Sequence, residues 1–205
     1  LTVTDVLAYK NHFDSKLAAL YYPWVVTSHP TASTELVLPP SAFVCGIYAR
    51  NDATRGVFKA PADLVVQSAL RFERSVTAAD QALLNPAGIN CLRTFPGVGN
   101  AVWGARTTSS NSDWKYVPVS RYFAYLERSI DLGTQWAVFE PNGEPLWSRF
   151  RDLVTNFLRN EWQHGALAGS KPEEAFLVKC DHTTMTQDDL DNGRLICLVG
   201  VAPVR

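Results

Sequence analysis

The chain has 205 residues, of which 46% are hydrophobic and 19% are charged, and its formal net charge is −1. A chain of this size can bury roughly 70% of the surface that its unfolded form exposes, which supports a complete hydrophobic core. The near-zero charge argues against nucleic-acid binding, because phosphate backbones select strongly positive surfaces. No apolar run approaches the roughly 18 residues that a membrane-spanning helix needs.

The first half of the chain alternates between helical and extended patterns. Capping residues and apolar residues at helical spacing indicate the helices, whereas β-branched and aromatic runs indicate the strands. The predicted elements are a helix from Thr2 or Thr4 to about Leu20, a strand at 21–28, a helix from Ser41 to about Ala53, a loop at 53–63, a strand at 68–76, a short helix capped by Thr77, and a hairpin of strands at 89–95 and 100–108.

The second half continues this alternation. Its predicted elements are an extended segment at 114–119, a helix from Ser120 to about Gly133, an extended piece at 134–140, a long helix at 143–164 capped by Asn142, a strand at 176–180, a helical turn capped by Thr186, and a last strand at 194–204. We therefore expect an α/β fold of mixed α+β character, with a layered mixed β-sheet flanked by helices. The turn-rich loop predicts a boundary between an N-terminal part, 1–62, and a C-terminal domain, 63–205.

The four cysteines are Cys45, Cys91, Cys180 and Cys197. Three of them lie inside apolar runs, which is typical of buried cysteines that behave as small hydrophobic residues in a reducing compartment. A disulfide between two of them remains the alternative.

Motifs for chemistry are missing from the sequence. No CxxC, HxxxH or CxxH spacing occurs, and Cys180-Asp181-His182 is the nearest approach to a metal or catalytic site. A strand-end cysteine beside a surface histidine is the favoured interpretation of that segment. The glycines at 97–104 and 165–169 match neither a dinucleotide fingerprint nor a phosphate loop. We therefore predict a protein with no catalytic residues, no cofactor and no metal.

Several segments in fixed order resemble the core region of contractile tail sheath proteins from phages and phage-tail-like particles. The resemblance covers nearly the whole chain. The segments are YYPW (21–24), LPPSAFVCGIYARNDATRGVFKAPA (38–62), LLNPAGINCLRTFPGVGNAVWGART (83–107), WKYVPVSRYFAYLERSI (114–130), QWAVFEPNGEPLW (135–147), GALAGSKPEEAFLVKCDHTTMT (165–186) and NGRLICLVGVAPV (192–204).

The resemblance implies a structural subunit of a contractile sheath. Such subunits assemble in the bacterial cytoplasm as stacked six-membered rings around an inner tube, and contraction drives that tube through a target membrane. The implied partners are other sheath subunits, the inner tube protein, and baseplate and terminator proteins, without nucleic acid or direct membrane insertion. A non-contracting terminator or baseplate component of the same kind of particle is the alternative. A hydrolase or nucleotide-dependent enzyme has no motif to support it.

The last apolar run is the candidate site of assembly. Sheath subunits of this family exchange terminal strands that add to a neighbour's sheet, which is β-augmentation. The residues of the candidate inter-subunit edge strand are Arg194, Leu195, Ile196, Cys197, Leu198, Val199, Gly200 and Val201. Family members also carry terminal arms. Because the sequence lacks an initial Met and stops at Arg205, we expect those arms to lie outside it.

Overall fold

Helices and short strands alternate along residues 2–204, the part of the chain that this computed structural model describes. The chain divides into two compact units, Leu1–Arg121 and Tyr122–Arg205. Both contain sheets and helices, which confirms the predicted mixed α/β class. The boundary between the units falls within a helix. The subdivision predicted at residues 62 and 63 stays a prediction.

The first unit contains two sheets. Its elements are α1 (Val3–Lys10), β1 (Leu20–Tyr22), β2 (Val25–Ser28), β3 (Glu35–Leu38), α2 (Ser41–Arg55), β4 (Leu64–Val65), β5 (Arg71–Phe72), α3 (Ala78–Leu84), β6 (Ile89–Phe95), β7 (Gly99–Trp103) and the beginning of α4 (Val117–Thr134). One sheet has the strand order β1-β6-β7-β4, and the other has the order β3-β2-β5. The first sheet is mixed, because β1 pairs with β6 in parallel whereas its other pairings are antiparallel.

The core of this unit forms where α2 and the strands bury their apolar faces. Val44 and Ile47 of α2 belong to one cluster with Leu92 of β6 and Val102 of β7. Each of these side chains is at most 4% exposed. The β6–β7 hairpin confirms the predicted one. Gly97 lies in its turn and Gly99 begins β7, and their φ angles of 78° and 96° favour glycine.

The second unit is built around a long amphipathic helix. Its elements are the rest of α4, α5 (Glu144–Gln163), α6 (Pro172–Ala175), β8 (Phe176–Lys179), α7 (Gln187–Asp191) and β9 (Leu198–Val201). α5 buries Leu146, Trp147, Val154 and Leu158, and three of these, Leu146, Val154 and Leu158, form an apolar stripe on one side of the predicted helix. Three residues after Leu158, and therefore on the same side of the helix, Glu161 accepts hydrogen bonds from the hydroxyls of Tyr122 and Tyr125, each at 3.1 Å.

Two predicted helix boundaries in the first unit are wrong because side chains bond to partners distant in sequence. α1 ends at Lys10 instead of near Leu20. Beyond it, the Asp14 carboxylate accepts hydrogen bonds from Ser110, and the Ser15 carbonyl accepts one from Thr108. These contacts keep the segment out of a helix. α4 begins at Val117 rather than at Ser120, whose hydroxyl donates to the Lys16 carbonyl at 2.6 Å instead of capping.

Other predicted elements have shorter or different bounds. Residues Gln135–Phe139 form a 3₁₀ helix rather than an extended piece. The strand predicted at 68–76 is confined to Arg71–Phe72. Gly143, not Asn142, is the N-cap of α5. The helices predicted to begin after Thr77 and Thr186 do so, and each has a complete capping box.

The capping box of α3 is a local feature that can be tested by mutation. The Thr77 hydroxyl accepts a hydrogen bond from the Asp80 N–H at 3.1 Å. Thr77→Ala leaves that N–H without its partner, so we expect the free energy of unfolding to fall by about 1 kcal/mol. Urea denaturation measures this change. Thr77→Ser keeps the hydroxyl and is expected to stay close to wild type; equal losses in both variants would contradict the assignment.

The same box predicts a pH dependence. The pKa of Asp80 lies below its usual value because the backbone N–H and the hydroxyl of Thr77 bond to its carboxylate. A lowered folded-state pKa means that this stabilisation is complete above the unfolded pKa of about 4 and is lost as the pH falls through the folded value. Asp80→Asn should therefore lower the melting temperature more at pH 6 than at pH 2.5. An equal difference at both pH values would contradict this.

Candidate functional site

The sheet of β8 and β9 contains Leu198–Val201, the second half of the strand that the sequence predicts for assembly. The two strands are antiparallel, and their register runs from Phe176 opposite Val201 to Lys179 opposite Leu198. Within residues 2–204 this sheet has only these two strands. A two-stranded sheet leaves two outer edges, each with main-chain groups that can accept a further strand.

The side of β9 that faces away from β8 is the more open edge. The Ala202 N–H donates to the Ala175 carbonyl at 2.8 Å, which identifies that pair as hydrogen-bonded. Such pairs alternate along antiparallel strands, so Gly200 and Leu198 also bond toward β8. The main-chain N–H and C=O groups of Val199 and Val201 therefore point to the other side. No strand among residues 2–204 pairs there.

The outer edge of β8 is closed at both ends. The Phe176 N–H donates to the carbonyl of Pro172 in α6. At the other end, the Arg151 guanidinium donates to the Cys180 carbonyl at 2.9 Å. Because these groups already have partners within the unit, an added strand finds a longer free edge at β9.

The two faces of this sheet differ in exposure. Cys180 is completely buried, and Phe176 and Val178 on the same face of β8 are partly buried. The opposite face is open to solvent, with Leu177 exposed by 63% and Leu198 by 54%. Exposed leucines on a free-edged sheet are expected where another polypeptide covers them, because natural proteins otherwise protect such edges.

The structure confines the predicted strand to its second half. Leu198, Val199, Gly200 and Val201 form β9, whereas residues 194–197 have no regular structure. The Arg194 carbonyl accepts a hydrogen bond from the Asn142 side chain at 3.0 Å, and the Ile196 carbonyl accepts one from the Thr184 hydroxyl at 2.8 Å. These side-chain bonds occupy carbonyls that a strand ladder would use.

Sequence reasoning did not identify the residues that hold segment 194–197 in place. Asn142 was predicted as a helix cap, yet its amide also accepts a hydrogen bond from the Trp147 indole N–H at 2.7 Å. The Arg194 side chain lies near two carboxylates, 3.4 Å from that of Asp188 and 3.3 Å from that of Asp189. The partners of Asn142 and Arg194 come together only in the folded unit.

Neither a metal site nor a paired catalytic group forms at the one segment that the sequence singled out. Cys180 is buried, whereas His182 is exposed and lies in a turn after β8 has ended. The Asp181 carboxylate accepts hydrogen bonds from Thr183, which lower its pKa. Across residues 2–204, no three His, Cys, Asp or Glu side chains gather as metal ligands. No helix in the same range has the length and apolar character needed to cross a membrane.

Two family profiles together match the chain from end to end. Residues 1–108 match the central domain of phage tail sheath proteins, and residues 109–205 match the phage tail sheath C-terminal domain. A prophage major tail sheath protein of Pseudomonas aeruginosa is 29% identical over 138 residues, which is 64% of this chain and 35% of that protein. The chain thus spans about a third of this curated relative.

Solved structures of contractile particles share the fold. The sheath complex of an extracellular contractile injection system in the contracted state superposes with a TM-score of 0.92 at 40% identity, covering 100% of this chain and 58% of that one. The baseplate of the anti-feeding prophage gives a TM-score of 0.88 at 44% identity, covering 94% of this chain and 52% of that one. The chain therefore spans between half and two thirds of these two solved chains.

The anchoring of residues 194–197 can be tested through Asn142. Asn142→Ala removes the acceptor of the buried Trp147 indole and the donor to the Arg194 carbonyl, so we expect the free energy of unfolding to fall by about 1–3 kcal/mol. Amide hydrogen exchange at 194–197 should also become faster. Asn142→Asp retains an acceptor for the indole and should lose less stability. Unchanged exchange in the alanine variant would contradict the anchoring role.

Proposed function

The chain belongs to the phage tail sheath family, and from this premise we propose that it is the core of a structural subunit of a contractile sheath. The observation that supports this function best is the free main-chain edge of β9 beside the exposed Leu177 and Leu198. A protein that works by joining copies of itself needs such an edge, whereas an enzyme needs a cleft with convergent reactive groups.

The joining step is the addition of a strand from a neighbouring subunit to β9. An incoming strand would pair with the outward N–H and C=O groups of Val199 and Val201 and would cover adjacent apolar surface. Pro203 has no main-chain N–H, so the hydrogen-bond ladder between β9 and the incoming strand would lack a donor at that residue. Exchange of such strands would link successive subunits while each core stays intact.

The assembly that follows consists of stacked six-membered rings around an inner tube protein. Homologous chains occur in a contracted sheath complex and in a baseplate that was symmetrised six-fold. Contraction would then be a rigid-body change between two packings of the same subunits, in which the exchanged strands act as tethers. The free energy for driving the tube comes from the repacking and needs no cofactor, metal or catalytic residue in this chain.

The sheath would be part of a phage tail or of a phage-tail-like particle. We propose assembly in the bacterial cytoplasm, with baseplate and terminator proteins at the two ends of the sheath. The net charge of −1 offers no field that would attract nucleic acid. The subunit itself would not insert into the target membrane, since that is the role of the driven inner tube.

A second candidate is a non-contracting component of the same kind of particle, such as a terminator or a baseplate part. The similarity to a chain of the anti-feeding prophage baseplate supports this second candidate function. The two functions differ in one observable. A contracting sheath has an extended and a shortened length that both contain this protein, whereas a terminator occurs only at one end of the particle.

Strand addition predicts that a proline on the free edge blocks assembly. Val199→Pro removes the outward N–H at the centre of β9, while the preceding residue is already extended, as proline requires. Full-length protein that carries this variant, co-expressed with its inner tube protein, should give at least tenfold fewer sheath tubes in negative-stain electron micrographs.

Val199→Thr is the matched control, because it retains the N–H and a β-branched side chain. It should form tubes like the wild type. Circular dichroism and the melting temperature of unassembled Val199→Pro protein establish that the fold persists. Normal tubes from the folded proline variant would show that β9 is not the joining edge, and wild-type protein that never forms tubes would count against the sheath function.

A further inference from the structure

Cys180 and Cys197 lie opposite one another at the end of the β8–β9 sheet. The paired strands end with Lys179 opposite Leu198, and the next residue beyond each strand places Cys180 opposite Cys197. Both residues belong to one hydrophobic cluster with Leu146, Trp147 and Met185. From the sequence, reduced cysteines were favoured because of the expected reducing compartment, and a disulfide was only the alternative.

Hydrogen-bonded and non-hydrogen-bonded residue pairs alternate along antiparallel strands, and this alternation makes the positions of Cys180 and Cys197 suitable for a disulfide. Ala175 and Ala202 form a hydrogen-bonded pair, so the same alternation carried one residue past Lys179 and Leu198 would make Cys180 and Cys197 a non-hydrogen-bonded pair, and a hydrogen bond joins their two thiols. Opposed residues of that type have Cα atoms about 4.5 Å apart and side chains on the same face, which lies at the short end of the range that disulfides span. The two strands therefore need little movement to be joined.

Hydrogen bonds from side chains to main-chain carbonyls hold the two cysteine-bearing segments in place. The Cys180 carbonyl accepts from Arg151 at 2.9 Å, and the neighbouring Ile196 carbonyl accepts from the Thr184 hydroxyl at 2.8 Å. These bonds fix the backbone on both sides of the gap between the sulfur atoms. Cys180 is fully buried, whereas Cys197 is partly exposed, so a reagent from solution reaches Cys197 first.

We propose that Cys180 and Cys197 form a reversible disulfide site that ties the start of β9 to the end of β8. The oxidant is a low-molecular-weight disulfide such as oxidised glutathione. The Cys197 thiolate attacks one glutathione sulfur, the glutathione S–S bond breaks, and the released thiolate takes up a proton. Cys180 then gives up its proton to water and attacks Cys197 sulfur, which releases the second glutathione. One protein S–S bond forms as one glutathione S–S bond is lost.

The exchange should be slow at neutral pH. Burial raises the pKa of the Cys197 thiol to about 12, with the neighbouring Cys180 adding to the shift. Burial also raises the pKa of Cys180, although a hydrogen bond with Cys197 offsets part of this effect. Only thiolates attack disulfides, so the rate should rise about tenfold per pH unit between pH 7 and 8.5. This behaviour is typical of a structural bond and not of a rapid sensor.

The test is incubation of the purified full-length protein with oxidised glutathione, followed by alkylation and peptide mapping by mass spectrometry. We expect a cross-linked peptide pair containing Cys180 and Cys197, which disappears after reduction. The melting temperature of the oxidised protein should be higher by roughly 5 °C, because the bond closes a loop in the unfolded chain.

Single substitutions make the assignment specific. Cys197→Ser and Cys180→Ala should each abolish the cross-link and the rise in melting temperature. Cys91→Ala is the matched control, because Cys91 is buried as Cys180 is but lies on β6 opposite Trp103, and the cross-link should persist in this variant. A glutathione adduct on Cys197 that never resolves, a cross-link through Cys45 or Cys91, or no reaction at pH 8.5 would each overturn the proposal.

The disulfide site does not depend on the proposed sheath function. The cross-link is read out in unassembled protein, whereas the sheath function is read out as tubes in electron micrographs. Loss of the cross-link with normal tubes, or the reverse, therefore identifies which of the two proposals is wrong.

Discussion

The main-chain groups of β9 alternate between a side paired with β8 and a side that no strand among residues 2–204 covers. Backbone donors and acceptors in folded proteins are almost always paired or hydrated, and an apolar edge with free groups accepts another strand readily. The exposure of Leu177 and Leu198 adds apolar surface to the same sheet. Our proposal for the function follows from this one constraint on hydrogen bonding.

A free edge can select a partner only if its own position is fixed. The structure fixes it through contacts within the second unit. Arg151 of α5 bonds to the end of β8, while Asn142 and Thr184 bond to the segment before β9. The residues at 194–197 thus help to position the strand instead of extending it. A rigid receptor lowers the entropic cost of adding a strand, because little of the receptor has to be ordered on binding.

The two proposals place different chemistry on the same small sheet. The outer side of β9 would exchange hydrogen bonds with a neighbour, and the inner face would carry a covalent bond between opposed cysteines. Both depend on the register in which Phe176 lies opposite Val201. A shift of one residue would turn Val199 and Val201 toward β8 and would separate the cysteines, since side chains and main-chain groups alternate along a strand with a period of two.

The sequence by itself determined the features that depend on neighbours a few residues away. These include the capping boxes at Thr77 and Thr186, the glycine turn of the β6–β7 hairpin and the apolar stripe of α5. The ordered segments were also specific enough to identify the family. The tertiary structure alone decided where α4 and β9 begin and that Cys180 lies opposite Cys197. Ser120 bonds to Lys16, and Asn142 bonds to Arg194. Hydrogen bonds between residues so distant in sequence form only when the chain folds, so no local pattern can specify them.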